Sequence, residues 1–131
     1  MADTAKQLKN QGDEWFAVCF FYSAYHVIRA AMLDDPIFER PADLAAKHID
    51  LTSQDRFSTR HHGYMSSNGR VLGVNDIVRL LYPEVAVEYR RLHMASIEVR
   101  YGEGIGVISP DSVVADYEKV IGEYKALRLI A

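Results

Sequence analysis

A chain of 131 residues is the usual size of one domain and buries roughly two-thirds of the surface that its unfolded form exposes. Apolar residues make up 49% and charged residues 25%, an ordinary globular composition that excludes intrinsic disorder. The net charge of −3 excludes a strongly basic coat for nucleic acid and leaves room only for a local site.

The charge is unevenly spread. Residues 56–100 carry seven Lys/Arg against four Asp/Glu, whereas residues 1–55 carry five against nine and residues 101–131 three against five. Anion-binding chemistry is therefore expected in the middle third. The single cysteine, Cys19, lies in the run Phe16-Ala-Val-Cys-Phe-Phe-Tyr22, where a thiol is a small buried hydrophobe, and one cysteine excludes an intrachain disulfide. With no secretory signal read at the N-terminus, the expected location is cytoplasmic.

In chain order, residues 4–11 suit a short polar helix that Gly12 can stop, with Asp13 capping the next. The second helix, about Trp15 to Leu33, lacks Pro and Gly and is apolar almost all round, so it is expected at the centre of the fold. His26 and Arg29 interrupt it, and Tyr22, Ser23 and Tyr25 dilute it; this favours a buried helix over a membrane span. Asp34-Asp35-Pro36 ends it. A weak helix is expected from Ala42 to His48, and Thr52 or Ser53 with Asp55 can cap a further turn or two through Arg60. Ser66-Ser-Asn-Gly69 and Gly73 mark a polar loop, and Asn75-Asp76 caps a short helix holding Ile77, Val78, Leu80 and Leu81. Pro83 opens a long helix from Glu84 to Tyr101 with Val85, Tyr89, Leu92, Ser96 and Val99 on one face. Gly102, Gly104 and Gly106 read as a joint. Ser109-Pro110-Asp111 starts a last helix whose Val113, Tyr117, Val120, Tyr124 and Leu127 form a packing seam, within the chain or across a dimer.

The densest cluster of functional groups is Arg56-Phe-Ser-Thr-Arg60-His61-His62-Gly63-Tyr64. Histidine can transfer protons near neutral pH, and arginine can fork onto phosphate oxygens. Arg56 with His61 or His62 supplies this set. On an ideal helix residues five apart point roughly 140° apart, so Arg56 and His61 need an irregular turn or two protomers to meet. The plainer reading pairs Arg56 with Asp50 or Asp55 on a solvated surface and leaves His61 and His62 as loop residues ahead of a glycine. His26 reads as a hydrogen-bonded core or interface histidine.

The segment Phe21-Tyr22-Ser-Ala-Tyr25-His26-Val-Ile-Arg29-Ala-Ala31 resembles the tyrosine- and alanine-rich helix of HEPN-domain proteins. The later His61-His62-Gly63, and a long helix closing on Arg100-Tyr101, are similar in kind and order to small stand-alone HEPN proteins. Together these cover about residues 5–102. The resemblance implies an all-α, compact up-and-down helical bundle, one domain over residues 1–131 with 109–131 as an appended helix. It also implies a homodimer, and a ribonuclease motif Arg-x(4–6)-His that Arg56 and His61 or His62 match; metal-free RNA cleavage of that kind needs a base for the 2′-hydroxyl, an acid for the leaving oxygen and positive charge on the phosphorane, which these residue types can supply. Arg60 and Tyr64 flank this motif as candidate substrate contacts, Tyr64 alternatively as a half-buried core tyrosine. Arg90, His93 and Arg100 share one face of the long helix, available to line an RNA groove or, with Glu88 and Glu98 near, simply solvated.

No metal or cofactor is expected. Adjacent His61 and His62 would diverge by about 100° on a helix, and neither a His-Glu-x-x-His, a Cys-x-x-Cys nor a glycine-rich phosphate loop occurs. Two functions fit. One is a metal-independent endoribonuclease, as in a toxin or defence component. The other is a non-catalytic HEPN-like module that binds RNA, a nucleotide or a protein partner such as an antitoxin or a nucleotidyltransferase.

Overall fold

A computed structural model describes residues 2–10, 14–101 and 109–131. The elements are α1 (Ala2–Asn10), α2 (Phe16–Asp34), a 3-10 turn (Pro36–Glu39), α3 (Pro41–Lys47), a second 3-10 turn (Ser53–Phe57), β1 (Tyr64–Ser66), β2 (Gly69–Val71), α4 (Val74–Leu81), α5 (Pro83–Tyr101) and α6 (Pro110–Lys125). The expected helical bundle is thus present, and the strands form only a small hairpin.

The apolar girth of α2 decides the packing. No proline or glycine interrupts its 19 residues, and eleven of them are buried, so it needs cover on several sides. α1, α5 and α6 supply that cover. Phe20 and Phe21 have no exposed surface, and each contributes roughly 2–3 kcal/mol by leaving water. Phe20 meets Tyr117 of α6 with ring centroids 4.8 Å apart. On length and composition α2 and the turn after it, Phe16–Glu39, could cross a membrane, with a mean hydropathy of 1.4 in an 18-residue window, but 67% of that window is buried inside the bundle.

α6 settles the seam within the chain. Val113, Tyr117 and Val120 are buried against α2 and α5. Asp116 anchors the same face, taking both nitrogens of the Arg91 fork on α5 at 3.0 and 2.7 Å. Leu127 does not continue the seam. The helix ends before it, its backbone turns left-handed (φ 58°), and its side chain is 77% exposed, whereas Leu129 is buried in the tail that follows.

Several boundaries differ from the sequence reading for local reasons. The expected polar loop holds the hairpin, paired Tyr64 to Val71 and Ser66 to Gly69, with Gly69 supplying the left-handed turn at φ 117°. Its strands are mostly exposed, so no buried alternation marks them. α4 begins at Val74, not after Asn75-Asp76, because Asp76 sits one turn in and its carboxylate accepts from the Gly73 N–H at 3.0 Å. Asp55 does the same for Thr52 at 2.8 Å. Ser109 makes no side-chain cap bond, and Pro110 alone sets the start of α6. α3 starts one residue earlier than expected, at Pro41. The expectations at Gly12, Asp13, Gly102, Gly104 and Gly106 lie outside the described residues.

Asp35 closes α2. It is 1% exposed, and its carboxylate accepts from the Ile37 N–H (3.0 Å), the Tyr82 hydroxyl (2.9 Å) and the Ala131 N–H (2.8 Å). Asp35→Ala removes the shared acceptor and leaves the Tyr82 hydroxyl buried and unpaired, at a cost of about 3 kcal/mol. Tyr82→Phe removes one bond and costs about 1.5 kcal/mol. Urea unfolding followed by circular dichroism should rank wild type, Tyr82→Phe and Asp35→Ala in that order, and equal midpoints would refute the assignment.

Candidate active site

The site begins with a close backbone crossing. Residues 60–63 run over the start of α4, where the Val74 N–H donates to the Arg60 carbonyl at 2.6 Å and the Asn75 N–H to the His61 carbonyl at 3.1 Å. Gly63 and Gly73 make this approach possible. A Cβ on Gly73 would lie 2.6 Å from the His61 carbonyl oxygen, and one on Gly63 would lie 2.4 Å from that of Val71. This strap holds His61 and His62 in fixed positions beside α4.

Across the strap, α2 and α5 present an aromatic wall. Phe21 stacks on His93 at 4.6 Å with planes 17° apart, and its ring also lies 5.3 Å from His61. Tyr25 and Tyr22 stand edge-on to His61 at 5.1 and 6.1 Å. His93 bridges the two strap histidines, 4.9 Å from His61 and 5.2 Å from His62. Tyr25 ties the wall back to the strap by donating its hydroxyl to the Thr59 carbonyl at 2.8 Å.

This packing sets the charge state of the imidazoles. Burial pushes the pKa of His93 down to about 4, helped by His61, His62 and Arg100. The pKa of His61 is also lowered, first by burial, then by His62 and Arg100. Both are therefore neutral at pH 7. His93 Nδ1 lies 2.8 Å from the Asn75 side-chain amide; in the orientation with Nδ2 donating, its ring proton sits on Nε2. His61 Nδ1 is buried without a partner, so proton exchange falls to Nε2. His62 is exposed.

The arginines divide sharply. Arg40, Arg56, Arg70, Arg79, Arg91 and Arg128 each face a carboxylate. Arg29, Arg60, Arg90 and Arg100 have no carboxylate partner among the described residues, and of these Arg90 and Arg100 border the histidine cluster. Arg29 lies over the Tyr25 ring (5.9 Å) and Arg60 over Tyr64 (4.7 Å). Arg100 lies over Tyr22 and Tyr101 and donates to both hydroxyls, at 3.0 and 2.9 Å. Arg90 lines a cleft of about 470 Å³ between α4 and α5 together with His62, Asn75 and His93.

The Arg56–His61 pairing expected from their spacing does not form. Arg56 donates to the carbonyls of Leu33 and Asp35 at the end of α2 (3.0 and 2.9 Å), lies 3.6 Å from Glu39 and covers the Phe38 ring. Its donors stabilise a helix C-terminus, where a cation belongs. His61, His62, His93, Arg90 and Arg100 are gathered around one region, whereas the Arg60 guanidinium lies over exposed Tyr64 and lines a separate cleft with Asp55 and Leu72. His26, expected in the core or at an interface, is exposed. Sequence reasoning treated Phe21, Tyr22 and Tyr25 only as core and family pattern, and Asn75 only as a helix cap. The helical spacing of Tyr22, Tyr25 and Arg29 was the signal that they share a face. Among the described residues no three His, Cys, Asp or Glu converge to hold a metal ion.

Because His93 titrates at about 4 when folded and near 6.5 when unfolded, the unfolded chain binds the extra proton between those values. Stability should thus fall as the pH drops from about 6.5 to about 4, then level off for this group. Urea midpoints at half-unit pH steps should show this slope, and His93→Phe, which keeps the stack on Phe21, should flatten it. An unchanged slope in the variant would assign the acid sensitivity elsewhere. Compared with protein-family models, curated proteins and solved structures, the chain gives no match in any of the three.

Proposed function

We propose that this protein is a metal-independent endoribonuclease of the HEPN type that cuts single-stranded RNA at the histidine cluster. One observation carries the reading: in a chain of net charge −3, three histidine rings meet, His93 lying 4.9 Å from His61 and 5.2 Å from His62, beside Arg90 and Arg100, neither of which has a carboxylate partner among the described residues. Arg100 also covers the Tyr22 ring, and Arg29 and Arg60 cover Tyr25 and Tyr64; rings beside guanidinium groups without a carboxylate suit unpaired bases and their phosphates.

His61, kept neutral by burial, takes the 2′-hydroxyl proton on Nε2 as the 2′-oxygen attacks phosphorus. The P–O5′ bond breaks, and exposed His62 gives its proton to the departing 5′-oxygen. The products are a 2′,3′-cyclic phosphate and a 5′-hydroxyl end. Arg100 faces the charge that builds on the phosphorane, the role that the Arg-x(4–6)-His spacing assigns to Arg56. His93 and Asn75 position the strap histidines. The family resemblance adds a homodimer and a toxin or defence setting to the proposal. The second reading, a non-catalytic module binding RNA or a protein partner such as an antitoxin or nucleotidyltransferase, draws on the structural commitment of Arg56.

Purified protein should cut unstructured RNA in the presence of chelator and leave cyclic phosphate ends. His61→Ala and His62→Ala should each lower the rate by about 10²-fold or more, and Arg100→Ala by a similar factor. Arg56→Ala should lower the unfolding midpoint while leaving the rate per folded molecule close to wild type. Equal activity in all the variants would mean a contaminating nuclease and end the proposal, and RNA binding without cleavage would select the second reading.

A further inference from the structure

Apart from the histidine cluster, a smaller cleft of about 290 Å³ opens between the second 3-10 turn, the start of the strap and the end of β2. Its size stands at the low end of small-molecule sites and suits one flat ring system. Val71 and the buried Leu72 give it an apolar part, and Ser58 crosses it to donate to the Leu72 carbonyl at 3.5 Å. Phe57 and Arg60 line it from the turn and from the strap, and both are exposed, Phe57 at 57%. Both are also held in place. The turn that carries Phe57 is fastened by its cap, where Asp55 accepts from the Thr52 N–H at 2.8 Å. The strap is fastened at Arg60 by the Val74 N–H on its carbonyl (2.6 Å) and at Thr59 by the Tyr25 hydroxyl (2.8 Å).

The planes and charges narrow the choice of ligand. The Arg60 guanidinium lies 4.7 Å over the Tyr64 ring, itself 45% exposed, so a flat cation backed by an aromatic ring faces solvent at the cleft. It has no carboxylate partner among the described residues and can take a phosphate. Asp55, the one carboxylate in the lining, repels a phosphate from the interior but accepts from N–H donors, which every RNA base carries. A base therefore belongs inside and its phosphate at the rim. Bases stack on aromatic rings and on guanidinium planes alike, and Phe57 and Arg60 offer one of each.

We infer that this cleft is a base-stacking subsite, separate from the histidine cluster, in which Phe57 and Arg60 hold one unpaired nucleotide of an RNA strand. The inference rests on the ribonuclease reading for its strand, and Arg60 directly precedes His61 in the strap, so a strand held here continues toward the cluster. Every base has a ring face and an N–H group. The subsite is thus indifferent to sequence and selective for unpaired strands, whose bases are free to leave their neighbours.

Binding is read apart from cleavage in the His61→Ala chain, by fluorescence anisotropy of a labelled, unstructured RNA oligonucleotide in chelator. Adding Phe57→Leu or Arg60→Gln should weaken binding about tenfold, whereas Phe57→Tyr, which keeps the ring, should bind as before. The same oligonucleotide in a duplex should bind at least tenfold more weakly. With His61 restored, Phe57→Leu should raise KM about tenfold and leave kcat unchanged. Unchanged affinity in Phe57→Leu and Arg60→Gln, an equal loss in Phe57→Tyr, equal binding of duplex and single strand, or no RNA binding at all overturns the subsite, even if RNA is still cut. Ring-dependent binding of single strands with no cleavage by the wild-type chain upholds the subsite and ends the ribonuclease reading.

Discussion

The carboxylate of Asp35 is nearly inaccessible to solvent, and a charge in that position persists only where donors surround it. Its donors come from three places far apart in sequence: the turn after α2, Tyr82 between α4 and α5, and the backbone at Ala131. Satisfying one group therefore fixes the end of α2, the start of α5 and the tail after α6 relative to one another. Arg56 fastens the same corner from the carbonyl side. The Tyr82 hydroxyl, buried and beside this charge, has its pKa raised and stays a donor at every physiological pH. Because α2 is held at its end and α5 at its start, the faces that carry Phe21 and His93 meet in a defined register.

That register creates a polar cluster the core cannot fully satisfy. Among the described residues six side-chain atoms are buried without partners: His61 Nδ1, Asn75 Oδ1, Tyr89 Oη and Ser96 Oγ in the strap, α4 and α5, and Arg29 Nε and Arg56 Nε outside them. Each such atom costs about 1–3 kcal/mol. The bundle tolerates them because the apolar wrapping of α2 and the Arg91–Asp116 fork hold the surrounding elements in place.

The helical architecture was legible in the sequence where periodicity and composition agreed. The run from Phe16 to Asp34, the proline starts of α5 and α6, and the seam through Val113, Tyr117 and Val120 all follow from local rules. The hairpin was not legible, since its exposed strands leave no alternation to read. The site was half legible. His61 and His62 drew notice as a polar cluster, but the ring that joins them, His93, reads in sequence as one more residue on a mixed helix face. Its burial depends on Phe21, 72 positions away, and its ring orientation on Asn75. Contacts at that separation carry no mark in either segment alone. The two glycines were visible as loop signals, but their purpose, the approach of one backbone to another, is a tertiary fact.

Arg56 and Arg100 show why spacing alone is a poor guide to the cation proposed to meet phosphate. Both are arginines in the basic third of the chain, and the motif spacing favours Arg56. The difference is in what already occupies their donors. Arg56 points at two backbone carbonyls of a helix end and a carboxylate, and withdrawing it would leave those carbonyls without their donor. Arg100 bonds two phenol hydroxyls, which can turn to other partners, and it faces no carboxylate among the described residues. It also lies close enough to His61 and His93 to lower both their pKa values. An incoming phosphate would thus meet a cation without a carboxylate partner, beside imidazoles kept neutral chiefly by burial, with a smaller push from the positive charge of Arg100. Binding the anion would relieve that pressure and raise the proton affinity of His61 at the moment a base is required.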